Sequence, residues 1–178
     1  MNFQIEEILL ELIQGDITDQ KDIEAVVNAA NAQLKIGGGV AGAIHRAAGP
    51  ELEKACRNLA PINPGEAVIT EAFQLPNQYV IHTLGPVYGR DKPEADILGR
   101  CYKNSLKLAA ANRIKSIAFP AISTGAFGYP TEEAAEVSIR TVKEMTSELK
   151  NIKIIRFVLY NKDDLRTFES QANKILTQ

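Results

Sequence analysis

Three consecutive glycines, Gly37-Gly38-Gly39, stand between a short β-branched run and an alanine-rich segment, and they constrain this chain more than any other feature. The run Ala25-Val26-Val27-Asn28 is too short for a helix and reads as a buried strand. The segment from Ala41 to Ala48 reads as a helix, broken by Gly49-Pro50 before a second one over Glu51 to Leu59. Between strand and helix, glycines let the backbone turn at positive φ and approach a ligand closely. A helix beginning there offers unpaired N–H groups and the positive end of its dipole. Phosphate is the ligand best matched to that device.

The remaining chain alternates strands and helices. Ile8 to Ile13 reads as a first strand or two, ending at Gln14-Gly15-Asp16, with Asp16 placed as an N-cap for the residues after it. Glu66 to Thr70 and Tyr79 to Thr83 read as strands flanking a turn at Pro76-Asn77. Leu98, Cys101, Tyr102, Ser105, Leu108 and Ala109 recur at helical spacing. Ser116 to Ile122 reads as a central strand, although Pro120 inside it implies an edge, a bulge or a bend. Thr131 is placed as the cap of a helix whose buried stripe is Ala135, Ile139, Val142, Met145 and Leu149. Lys153 to Tyr160 is the last strand, and Asp163 or Asp164 is expected to cap the final helix. This alternation predicts an α/β fold, a three-layer α/β/α sandwich, in one domain over residues 1–178.

A second glycine-bearing loop, Ser123-Thr124-Gly125-Ala126-Phe127-Gly128, follows the strand with the proline. Its successive N–H groups are suited to an anion nest. Two such loops on one side of a sheet hold a diphosphate between them. Phe127 either packs on a ribose or on the core. Asn28 reads as a turn residue satisfying backbone groups, His45 as a surface or satisfied helical side chain, and His82 as a structural ring at a strand end. Gly37-Gly38-Gly39-Val40-Ala41-Gly42 also fits G-x-G-x-x-G, the turn of an NAD-dependent Rossmann oxidoreductase. Ala29 to Ile36 intervene between strand and glycines, and no acidic strand end follows about 20 residues on, so the context is wrong.

With a net charge of −2 and acidic and basic residues interspersed, the chain shows no basic run of the kind duplex nucleic acid requires. Cys56 and Cys101 lack a metal spacing and read as buried apolar residues, so no metal is expected. No signal peptide and no stretch of about 20 apolar residues is read, which makes the cytoplasm the expected location and a membrane an unexpected partner.

Taken in order, Gln14-Gly15-Asp16-Ile17-Thr18, Asn28-Ala29-Ala30-Asn31, Gly37-Gly38-Gly39-Val40, Ala47-Ala48-Gly49, Ile81 to Pro86, and Phe119 to Gly128 resemble a macro domain over nearly the whole chain. The resemblance implies a mixed rather than purely parallel sheet, and ADP-ribose as the ligand, with no cofactor. It places Asp16 and Ile17 at the adenine, and Asn31 at the distal ribose, where it is also the residue expected to position the reacting water. Gly38, Gly39, Val40, Ala41, Ser123, Thr124, Gly125, Ala126 and Phe127 fall around the diphosphate and ribose, and Tyr160 stacks on adenine.

Macro domains divide into readers and hydrolases. In MacroD-type hydrolases an aspartate follows the glycine–valine pair and helps activate water; here that position is Ala41. The resemblance therefore implies a hydrolase of modest activity that uses a substrate-assisted water, with a non-catalytic reader as the alternative. Its partners would be ADP-ribose, an ADP-ribosylated protein or small molecule, or the terminal unit of poly(ADP-ribose). Candidate substrates are ADP-ribose esterified to Asp or Glu, O-acetyl-ADP-ribose, and ADP-ribose 1″-phosphate.

Overall fold

Alternation of apolar side chains along short strands builds the sheet at the centre of this computed structural model, which describes residues 1–178. The strands are β1 (Asn2–Ile5), β2 (Ile8–Gln14), β3 (Ala25–Ala29), β4 (Ala67–Glu71), β5 (Tyr79–Thr83), β6 (Ser116–Phe119) and β7 (Ile154–Leu159). They lie in the order β1-β2-β7-β6-β3-β5-β4. The five inner strands are parallel, and only the two edge strands pair antiparallel, so the sheet is mixed.

Successive residues of each strand serve opposite faces. Leu10 and Leu12 of β2, Val27 of β3, Ile117 and Phe119 of β6, and Ile155 and Phe157 of β7 join one core. That core is closed by α3 (Glu94–Ala111), α4 (Thr131–Met145) and α5 (Lys162–Leu176). Val26, Val80, Ala118 and Val158 join a second core, covered by α1 (Gly39–Ala48) and α2 (Pro50–Cys56). The result is the expected three-layer α/β/α sandwich. No helix is long and apolar enough to cross a membrane.

Several local expectations are corrected. Residues 2–5, unassigned from sequence, form a hairpin edge with β2. β6 is central but stops at Phe119: Pro120 has no N–H to continue the ladder, so the chain leaves the sheet there. Thr131 is the first residue of α4 rather than its cap, which is Pro130 and caps with no side chain. Neither Asp163 nor Asp164 caps α5. Asn161 does, its side chain accepting from the Asp164 N–H at 2.8 Å.

Because the inner strands are parallel, their carboxyl ends lie on one edge. Gly15-Asp16, Ala30-Asn31, Leu84-Gly85, Pro120-Ala121 and Tyr160 all emerge there. Open α/β sheets present their ligand crevices at this edge.

Candidate functional site

Two hollows meet at that edge. The first, of about 280 Å³, is lined by Ala29, Ala30 and Asn31 at the end of β3, the glycine loop and the start of α1, Gly85 after β5, and Ala121 to Ser123 and Gly125 to Phe127 after β6. The second, of about 710 Å³, is lined by Asp16, Ile17, Ala43, Arg46, Tyr160 and Asp164, among others. Gly39, Val40, Ala121 and Gly125 line both, so the two are halves of one cleft with a waist at the glycine loops.

The waist is a field of unengaged N–H groups. Helix α1 has Gly38 as its N-cap, with no side-chain cap and no acidic residue in its first turn. Its first intrahelical bond runs from Gly42 N–H to the Gly38 carbonyl, which leaves the N–H groups of Gly39, Val40 and Ala41 without helical partners. The loop is held against the helix by lack of bulk: a Cβ on Gly42 would stand 2.3 Å from the Gly37 carbonyl oxygen. Facing it, the β6 loop is closed by bonds from Tyr129 N–H to the Ser123 carbonyl at 2.9 Å and from Gly128 N–H to the Gly125 carbonyl at 3.0 Å. The N–H groups of Gly125, Ala126 and Phe127 donate to nothing in the chain.

Ser123 carries strain in this loop. It holds φ at +67° without being glycine, is buried, and its Oγ has no hydrogen-bond partner. Backbone outliers of this kind cost about 1–3 kcal/mol and gather at ligand sites. A Cβ on Gly85 would stand 2.1 Å from that Oγ, so the β5 loop reaches the cleft wall only as glycine.

Of the expected site residues, all thirteen line one or both hollows. Asp16 does not cap a helix, because residues 17–19 form only a turn. Its Oδ1 accepts from Thr18 N–H at 2.8 Å and Thr18 Oγ1 at 2.7 Å. Asn31 staples its own loop: its Oδ1 accepts from Lys35 N–H at 3.0 Å and its Nδ2 donates to the Lys35 carbonyl at 2.7 Å. A second Nδ2 hydrogen and a second Oδ1 lone pair remain for a ligand. Phe127 packs on the second core and lines the first hollow as well. Tyr160 is 87% exposed at the rim of the second.

Asn28 and His45 depart from expectation, and His82 does not. Asn28 is fully buried and binds no turn backbone; its Nδ2 lies 3.1 Å from His82 Nδ1, and its Oδ1 is unpartnered. Thr70 Oγ1 donates to the Glu71 carbonyl and lies 3.0 Å from His82 Nε2. With the threonine hydrogen engaged, Nε2 is the donor in that pair and Nδ1 the acceptor from Asn28. This is a neutral imidazole, and burial pushes its pKa down to about 3. His82 is thus the structural ring expected. His45 is not at the surface: it is buried on the inner face of α1, its Nε2 unpartnered and its pKa lowered by desolvation.

Two arginines escaped the sequence reading. Arg46 stands at i+3 from Ala43 and i+7 from Gly39, a spacing that puts it on the helix face lining the second hollow. Arg156, on β7, donates to Glu11 Oε2 at 2.6 Å, to Asp22 with both terminal nitrogens, and to Gln20 Oε1 at 2.9 Å. Gln20 Nε2 in turn donates to the Asp16 carbonyl at 2.8 Å. This chain of bonds holds the Asp16 turn against the sheet. The alternation of β7 could have flagged Arg156, a charge among inward positions.

No carboxylate, amine, imidazole or thiol lines the first hollow. Any chemistry there proceeds without a titrating protein base.

Known proteins resemble this chain over nearly its whole length. Residues 27–138 match the family model for the Macro domain. A macro domain-containing protein of Chlorobaculum tepidum is 48% identical over 163 residues, spanning 91% of this chain and 94% of that protein. An O-acetyl-ADP-ribose deacetylase of Klebsiella pneumoniae is 52% identical over 158 residues, 86% of this chain and 90% of that protein. Among solved structures, a mutant of the Oceanobacillus iheyensis macrodomain with ADPR superposes with a TM-score of 0.95 at 37% identity, covering 100% of this chain and 99% of that one.

Proposed function

This chain belongs to the macro domain family, and from that premise we propose that, as one domain over residues 1–178, it binds ADP-ribose and hydrolyses acyl esters of it. The observation that carries the reading is the waist, where two sets of unengaged N–H groups face one another between a base-sized and a ribose-sized hollow. Adenine lies in the larger half between Asp16, Ile17 and Tyr160. The diphosphate lies on the amides of Gly39 to Ala41 and Gly125 to Phe127. The distal ribose lies in the smaller half beside Asn31 and Phe127.

The absence of any titrating group in the smaller half supports a substrate-assisted reaction. A water positioned by Asn31 and a diphosphate oxygen attacks the ester carbonyl while that oxygen accepts its proton. The tetrahedral intermediate collapses, the carbonyl–ribose oxygen bond breaks, and the ribose oxygen leaves with a proton as its hydroxyl. Orientation and preorganised amides supply the rate. The named activity of the Klebsiella relative favours a small acyl ester such as O-acetyl-ADP-ribose, and the small volume and uncharged lining of the hollow suit it. Esters to Asp or Glu side chains of proteins and ADP-ribose 1″-phosphate are the other substrates to assay.

Calorimetric titration with ADP-ribose beside NAD and ADP is the test. ADP-ribose binding more tightly than NAD supports the distal-ribose assignment. Preference for NAD, or no binding of any of the three, removes it. Release of acetate from O-acetyl-ADP-ribose then separates hydrolase from reader.

A further inference from the structure

Among the residues lining both halves of the cleft there is one basic side chain, Arg46. It is exposed and takes part in no salt bridge. Carboxylates are at hand in the same hollow, but they are engaged elsewhere: Asp16 with Thr18, and Asp164 with the Asn161 side chain at 3.0 Å.

The placement of the guanidinium is unusual. Arg46 belongs to the last turn of α1, where a cation favours the negative end of the helix dipole. Its side chain instead runs back along the helix, as helical rotamers direct long side chains. Nη1 comes 2.9 Å from the point where a Cβ on Gly42 would stand, and the Gly37 carbonyl oxygen lies 2.3 Å from that same point. The charged head therefore sits over the first turn of α1, beside the glycine loop. There the dipole opposes a cation, and no carboxylate offsets the opposition. An anion at the waist reverses the balance, because a guanidinium fork matches phosphate oxygens in geometry as well as charge.

We propose that Arg46 is a specificity-determining residue that reads the diphosphate of the bound nucleotide, so that charge as well as shape selects nucleoside diphosphate sugars over uncharged nucleosides. The inference rests on the ADP-ribose reading above. Backbone amides hold the phosphate oxygens that face the loops; Arg46 covers the side turned to solvent and competes with water there.

Titrations of ADP-ribose, ADP and adenosine into the full chain, each at low and high salt, test it. Arg46→Gln is expected to weaken ADP-ribose and ADP by about tenfold to a hundredfold, the range for a hydrogen bond to a charged group, and to flatten the salt dependence. Adenosine binding and Tm should stay as in the unmodified chain. Arg46→Lys should restore part of the affinity through charge without the fork. Unchanged ADP-ribose affinity in Arg46→Gln overturns the proposal, and so does an equal loss for adenosine, which would place the guanidinium on the base. Failure of the unmodified chain to bind ADP-ribose overturns the functional reading itself and this proposal with it.

Discussion

The two edges of the sheet meet anions in opposite ways. At the carboxyl edge the cleft offers backbone N–H groups, a helix terminus and one guanidinium. At the amino edge, Arg113 and Lys115 before β6 and Lys150, Asn151 and Lys153 before β7 line a hollow of about 660 Å³ with no apolar residue. Judged by cations alone, the second edge is the anion site. Its charges are solvated and one of them is answered, however: Lys153 pairs with Glu7 at 2.8 Å. Lys153, by hydrogen bond and charge, holds the Glu7 carboxyl below its ordinary range. Long lysines must also be ordered before they bind, whereas the amides of a closed loop are already in place. The comparison teaches that preorganised donors, rather than density of positive charge, distinguish the proposed nucleotide site.

The comparison breaks most visibly at Gly42. Gly42→Ala puts a methyl against the Gly37 carbonyl and forces the glycine loop off α1. Loss of ADP-ribose affinity by about a hundredfold or more is expected from misplacing preorganised groups, read by calorimetry. Retention of full affinity would show that the loop geometry matters little.

Acid should destabilise the fold, because His45 on the inner face of α1 and His82 on β5, against Cys56 of α2 and Thr70 of β4, are buried and neutral. His82 has a folded pKa of about 3 against an ordinary 6.5. The unfolded chain therefore binds the extra proton between those values. The stability contribution is complete above about pH 6.5 and falls by about 1.4 kcal/mol per pH unit below it, until the folded ring also titrates. Thermal melts from pH 7 to pH 4 read this slope. His82→Gln should flatten it, and an unchanged slope would locate the sensitivity elsewhere.

Asn31→Ala removes the staple to Lys35 as well as the ligand contact. Turnover on O-acetyl-ADP-ribose should fall by roughly tenfold to a hundredfold, the scale of one or two lost hydrogen bonds in an ordered site. Turnover equal to that of the unmodified protein would remove Asn31 from the mechanism. The smallest effect is expected at the other edge. Replacing Lys150 and Lys153 together by Met should change ADP-ribose affinity by less than about twofold, since screened surface charges act weakly at a distance. A larger loss would mean that the basic hollow steers the ligand.

Much of the architecture was legible without coordinates. β5 runs over the expected residues 79–83, and every other expected strand and helix is present with shifted ends. Ends shifted where local chemistry decides. Pro120 cut β6 short, and Asn161 outcompeted two aspartates for the cap of α5 because its position, one residue before the helix, lets its carbonyl reach the Asp164 N–H. The site was legible as loops more than as side chains. Glycine runs after strands announce backbone recognition, but the engagement of Asn31 with Lys35 and of Asn28 with His82 depends on neighbours that propensity does not show.

By itself, then, the sequence determined the layered α/β plan and both glycine loops, since strand period, helix period and glycine placement are properties of contiguous residues. Only the tertiary structure decided which charges matter. It folded Arg46 back over the start of α1 and bound Arg156 to three partners 134 to 145 residues away. It also gathered four dispersed cations on the edge away from the cleft. Electrostatic environment is set by distance in space and by burial, and neither is a function of spacing along the chain.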